Sequence, residues 1–139
     1  MRSVCVMFAA AMCSLAASAA GIDYPALFQA IAFVESSDGV RSRNVYQLTG
    51  RYLSDLERIT GERWSYSDTA LDRARSMTAM RTYWAYYSSR QFQRGTSVPS
   101  TELLAKIHHV GYVGLRTRKD RAEAYWKKVK PLYEKFRRK

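Results

Sequence analysis

Apolar residues recur three and four positions apart along almost the whole chain from residue 22 onward, and no useful length alternates apolar with polar residues. A strand needs a repeat of two to bury one face, whereas a helix needs one near 3.6. The pattern therefore confines the fold to an all-α class, as a compact helical domain of about five helices. No internal repeat of about 20–50 residues is present, so the helices form one globule and not a solenoid.

The first twenty residues stand apart from this pattern. MRSVCVMFAAAMCSLAASAA carries one Arg, then an apolar run, then Ala17-Ser18-Ala19. That order of charge, apolar core and small residues is expected of a secretory signal peptide over residues 1–20, with an exported domain over 21–139. A retained N-terminal anchor is the alternative. Cys5 and Cys13 both lie within the leader. An exported domain without cysteine has no disulfide, no thiolate metal site and no cysteine nucleophile, and must stand on its core. At this length folding buries roughly 65% of the unfolded chain's surface, which suffices for one domain.

Local signals place the helices. Pro25 opens the first, which runs to Ser36 ahead of an Asp38-Gly39 turn, with Leu27, Phe28, Ile31 and Val34 as its apolar stripe. The second spans Arg51–Thr60 and stops at Gly61. The third starts at a Ser67-Asp68 cap and reaches Ser88, burying Ala70, Ala74, Met77, Trp84 and Tyr87. A polar loop covers Gln91–Val98. Ser100 caps a fourth helix through Ile107, after which His108–Gly114, with two glycines, is expected to be a tight loop. Asp120 and Glu123 form a capping box for a fifth over Arg121–Lys130, which Pro131 ends or kinks before a short turn at Leu132–Phe136.

Lys and Arg outnumber Asp and Glu by 23 to 12, a formal charge of +11. Such an excess fits an anionic polymer or surface, or simply a solvated face. Much of it gathers after Arg116, where no nucleic-acid motif accompanies it, and export argues against a nucleic-acid partner.

One carboxyl is out of keeping with its surroundings. Glu35 follows Ile31 by four and Phe28 by seven, so it shares their face at the edge of an apolar stripe. It also sits in the last helical turn, where the dipole is negative. Desolvation and the dipole both favour the protonated form, which is what a general acid requires.

Val34-Glu35-Ser36-Ser37, then Val45-Tyr46-Gln47-Leu48, then LLAKIHHVGYVG over 103–114, then Tyr125-Trp126-Lys127-Lys128-Val129 follow in order along the chain. This succession resembles the lysozyme-like superfamily, in its bacterial lytic transglycosylase and goose-type lysozyme branch. The resemblance covers most of residues 26–130 and implies a lysozyme-like helical fold. By it Glu35 corresponds to the catalytic acid and Ser36 to the serine that follows it. Gln47 corresponds to a cleft-lining glutamine with Tyr46 beside it, and Tyr125 to a late tyrosine near the acid. His109 stands where the family has the asparagine of an Asn-Gly-Gly-Pro turn, and Asn44 where it has the first glycine of Gly-x-x-Gln. The substrate implied is the glycan strand of peptidoglycan, cut by a monomeric enzyme with no cofactor.

A lytic transglycosylase works with one carboxyl, whereas hydrolysis normally needs a second about 5–9.5 Å away. Asp38, Asp55, Asp68 and Asp72 are available, but no motif marks one as a partner; Asp68 fits a helix cap and Asp38 a turn. A hydrolase, a non-catalytic wall-binding module on the same fold and a cationic membrane-active protein therefore stay open. His108-His109 lacks the further ligands a metal site requires. Tyr83, Trp84, Tyr86 and Tyr87 fit core packing better than a sugar platform, while Trp64 and Tyr66 are harder to explain as core.

Overall fold

The structure, a computed structural model, describes residues 21–36, 43–93 and 99–138; the leader with Cys5 and Cys13, the Asp38-Gly39 turn and the Gly95 segment lie outside these. Six helices occur among the described residues, with no strand. They are α1 (Tyr24–Ser36), α2 (Gly50–Thr60), α3 (Tyr66–Thr69), α4 (Arg73–Gln93), α5 (Thr101–Thr117) and α6 (Lys119–Arg137). No helix among them is long and apolar enough to cross a membrane.

Helix α1 is wrapped on most sides: Ala26, Leu27, Phe28, Ala30, Ile31 and Ala32 are all buried. It packs chiefly on α6, which pairs with α5, and α5 in turn packs on α4. Phe28 ties three segments together, since its ring stacks on Trp84 of α4 at 5.4 Å and meets the Tyr46 ring edge-on at 5.9 Å. Each such fully buried aromatic contributes about 1.5–3 kcal/mol. The short connection 43–49 is held by buried Asn44, whose amide donates to the Leu48 carbonyl while its oxygen accepts from the Leu48 N–H, both at 2.9 Å.

Several boundaries differ from the sequence expectation. The third helix divides, because Ser65 caps the short α3 through the Asp68 N–H, and Asp72 caps α4 by accepting from the Arg75 N–H at 2.7 Å. Asp68 is thus the partner of a cap rather than the cap itself. The buried face of α4 carries Ser76, Ala79, Met80, Tyr83, Trp84 and Tyr87, leaving Ala74 exposed. Helix α4 also extends to Gln93, into the segment expected to be loop. Trp64 is core: it is 3% exposed, its indole N–H donates to Thr60 Oγ1, and Arg75 covers its ring. Tyr66 stays exposed.

The C-terminal half departs further. His108–Gly114 is helical around a single break, as Gly111 takes φ 73° and ψ 172° inside α5. Only glycine adopts that conformation freely. Helix α6 begins at Lys119 with Arg118 at its N-cap and no side-chain cap hydrogen bond, so no capping box forms at Asp120. Glu123 instead receives a hydrogen bond from Lys106 of α5. Pro131 sits within α6 without ending it, because packing of Tyr125, Val129 and Tyr133 into the core carries the helix onward.

Candidate functional site

A cleft of about 780 Å³ opens between the C-terminal end of α1, the 47–49 segment, α2, α4 and the broken middle of α5. Of the residues that the resemblance assigns to the site, Glu35, Gln47 and His109 line it together. Tyr46, Ser36 and Tyr125 do not, and their burial removes them from direct ligand contact. Tyr46 is 0% exposed against Phe28, and Ser36 turns inward to donate to the Ala32 carbonyl at 2.6 Å. Tyr125 is buried behind His109. These three side chains support the wall from within.

Glu35 reaches the cleft because it stands at the last turn of the most buried helix, with 18% of its side chain exposed. Burial pushes its carboxyl above the ordinary range. The nearby Tyr125 hydroxyl and the charge of Lys128 oppose that rise without cancelling it. The Tyr125 hydroxyl lies close to the carboxyl but outside normal hydrogen-bond geometry. Burial and the adjacent carboxylate in turn keep this phenol protonated.

Two imidazoles flank the acid. His108 Nε2 lies 3.8 Å and His109 Nδ1 3.9 Å from Glu35 Oε1. Neither contact is an ion pair at neutral pH. His108 is buried and its pKa is pushed down to about 4, while burial with the charges of Arg121 and Lys128 lowers that of His109. His108 Nε2 is 3.1 Å from the Tyr46 carbonyl, so this nitrogen carries the proton and donates it there. That bond fastens α5 to the 43–49 connection directly behind the acid. His109 is stacked on Tyr125, its ring edge turned to the cleft.

Gln47 presents another unusual feature: its φ is +53°, the only positive value at a non-glycine among the described residues. The left-handed conformation costs a non-glycine residue about 1–2 kcal/mol. Two hydrogen bonds to the Asn44 carbonyl offset it, from the Gln47 backbone N–H at 3.1 Å and from Nε2 at 3.0 Å. The side chain is thereby held at the cleft edge.

The far half of the cleft holds residues that sequence reasoning passed over or assigned elsewhere. Asp55 accepts from Arg58 at 2.6 Å on one oxygen and from the Tyr87 hydroxyl on the other. Tyr52 and Tyr83 stack at 4.1 Å, and Tyr87 and Tyr112 at 5.2 Å. Burial and the Asp55 charge hold the Tyr83 and Tyr87 hydroxyls protonated, Tyr87 at about 12. The signal was present in the spacing, since Tyr52, Asp55 and Arg58 fall three apart on one face of α2. Among the described residues, no three His, Cys, Asp or Glu side chains gather where a metal ion could be held.

No family model matches the chain, and neither a curated protein nor a solved structure matches it.

Proposed function

We propose that this protein is an exported peptidoglycan-cleaving enzyme of the lytic transglycosylase type, with Glu35 as its single general acid and base. One observation carries the reading. Among the described residues the cleft is lined by two carboxyls: Asp55 is engaged by Arg58 and Tyr87, whereas Glu35, 18% exposed at the end of a buried helix, has its carboxyl pushed above the ordinary range by burial.

The chemistry follows from that arrangement. Protonated Glu35 gives its proton to the glycosidic oxygen between muramoyl and glucosaminyl residues as the bond from that oxygen to the muramoyl C1 breaks. The carboxylate left behind faces the positive charge developing at C1. It then takes the proton of the muramoyl 6-hydroxyl while that oxygen bonds to C1, closing a 1,6-anhydro ring and returning Glu35 to its starting state. No water enters the balance, so no second carboxyl is required. Gln47 and His109 flank the acid with hydrogen-bonding groups suited to N-acetyl and hydroxyl substituents. Two neutral imidazoles, in place of cations, let Glu35 keep its proton.

Asp55 is the specific feature that favours a hydrolase instead, as a second carboxyl in the same cleft. Its oxygens are occupied by Arg58 and Tyr87, which sets it in a structural role. Mass spectrometry of the muropeptides released from purified sacculi decides between the readings. Anhydro-muropeptides from wild type and none from Glu35→Gln are expected. Reducing-end products would move the assignment to hydrolysis, and no products from wild type would overturn an enzymatic role.

A further inference from the structure

The half of the cleft remote from Glu35 has a chemistry of its own. Its wall is tyrosine, and aromatic walls commonly serve as platforms on which sugar rings stack. These rings are not available in that way. Tyr52 and Tyr83 cover each other at 4.1 Å with planes 20° apart, and Tyr87 and Tyr112 at 5.2 Å with planes 23° apart. Tyr83 and Tyr87 are each 7% exposed. The wall is therefore rigid scaffolding that offers edges rather than faces.

What projects over this scaffold is positive charge. Arg51, Arg58 and Arg118 line the cleft, against Asp55 and Glu35. Arg58 is spent on Asp55 at 2.6 Å. Arg51 and Arg118 are exposed and form no ion pair among the described residues. They approach the cleft from different elements, Arg51 from the first turn of α2 and Arg118 from the junction of α5 with α6. Val113, 65% exposed, lines the same cleft and adds an apolar contact. Two uncompensated guanidinium groups over low-dielectric walls focus the field into the cleft and select an anion.

Resting on the reading of Glu35 as the peptidoglycan-cleaving acid, we infer that Arg51 and Arg118 bind the carboxylates of the peptide stem on the muramoyl residue. The enzyme then selects peptide-bearing glycan over denuded or neutral glycan. A neutral polymer of N-acetylhexosamines offers nothing to these cations, and a denuded muramoyl residue offers only the lactyl carboxylate held against its sugar ring, whereas each stem carries carboxylates that reach beyond the sugar, beside small aliphatic side chains that suit Val113.

The test uses full-length Glu35→Gln, which retains the cleft but does not turn over. Its binding is measured by calorimetry to a soluble tetrasaccharide carrying its peptides and to the same tetrasaccharide after amidase removal of them. The peptide-bearing fragment is expected to bind about tenfold or more tightly, with the preference shrinking as salt rises. Adding Arg51→Gln and Arg118→Gln together should bring its affinity down to that of the denuded fragment. Equal affinity for the two fragments, no binding of either, or an undiminished preference in the arginine variant would overturn the inference. Cleavage of sacculi by wild type without a binding preference would refute the stem site and leave the catalytic reading standing. A preference without cleavage by wild type would do the reverse.

Discussion

His109 lies flat on Tyr125, with ring centroids 4.1 Å apart and planes 2° apart, and this stack forms the wall behind Glu35. The two residues are sixteen apart in sequence, on α5 and α6, yet together they set the surroundings of a carboxyl on α1. His109 brings an uncharged ring nitrogen toward the acid, and Tyr125 brings a protonated hydroxyl that tempers the effect of burial.

Replacing Tyr125 with Phe keeps the stack and removes the hydroxyl that favours ionised Glu35. The Glu35 pKa should therefore rise further, since only desolvation and Lys128 remain to contend. The alkaline limb of the pH–rate profile for muropeptide release is expected to move to higher pH. A shift to lower pH would refute the assigned role of that hydroxyl.

Glu35 also links stability to pH. Burial raises its pKa in the folded state above the ordinary value of 4.5, so the folded protein holds that proton more tightly than the unfolded chain. The associated stability is fully present below the unfolded pKa and is lost as pH rises through the folded one. Glu35→Gln should therefore melt at a higher temperature than wild type at pH 7.5, and the two should converge near pH 4. Thermal unfolding across that range reads the difference directly.

His108 acts in the opposite sense. Its folded pKa of about 4 lies below the ordinary 6.5, so the unfolded chain takes up a proton that the folded protein refuses. Its stability contribution is complete above pH 6.5 and is lost as pH falls toward 4, on the order of 2 kcal/mol by pH 5. His108→Gln retains a donor for the Tyr46 carbonyl without titrating. Guanidinium unfolding of both proteins at pH 7 and pH 5 should show the gap between them closing by that amount. Glu35 titrates in both, so only the change that the substitution makes in its surroundings enters the comparison.

The break at Gly111 should be sensitive to any side chain. Gly111→Ala places a β-carbon on a residue with φ 73° and ψ 172°, a region essentially confined to glycine, and is expected to cost about 1–3 kcal/mol, read as a lower denaturation midpoint with unchanged slope. Gly114→Ala acts by a different route, because its β-carbon would stand 2.7 Å from Val110 Cβ. Overpacking of that kind costs about 1–3 kcal/mol. Both should also loosen binding of glycan fragments to Glu35→Gln, since Val110–Gly114 forms one edge of the cleft.

Helical periodicity, the Gly61 stop, the Ser100 cap and the placement of Glu35 at the end of an apolar stripe were legible in the sequence because each depends on residues within one or two turns. Asp68 and Asp120 do not take the capping position their local sequence suggests, because a nearby residue, Ser65 or Arg118, occupies it. Pro131 and the His108–Gly114 segment defied their local preferences because burial of neighbours across the core outweighs the propensity of a single residue.

By itself the sequence determined the helical class, the basic charge and the candidate acid, all set by residue type and short-range spacing. Only the tertiary structure decided which side chains share the cleft. Gln47 and His109 face it with Glu35, while Tyr46, Ser36 and Tyr125 lie behind it. It also brought Tyr52, Asp55, Arg58, Tyr83, Tyr87 and Tyr112 into one wall from three helices. The physical reason is that exposure and pKa depend on desolvation by residues distant in sequence, and no local pattern records which helices will pack together.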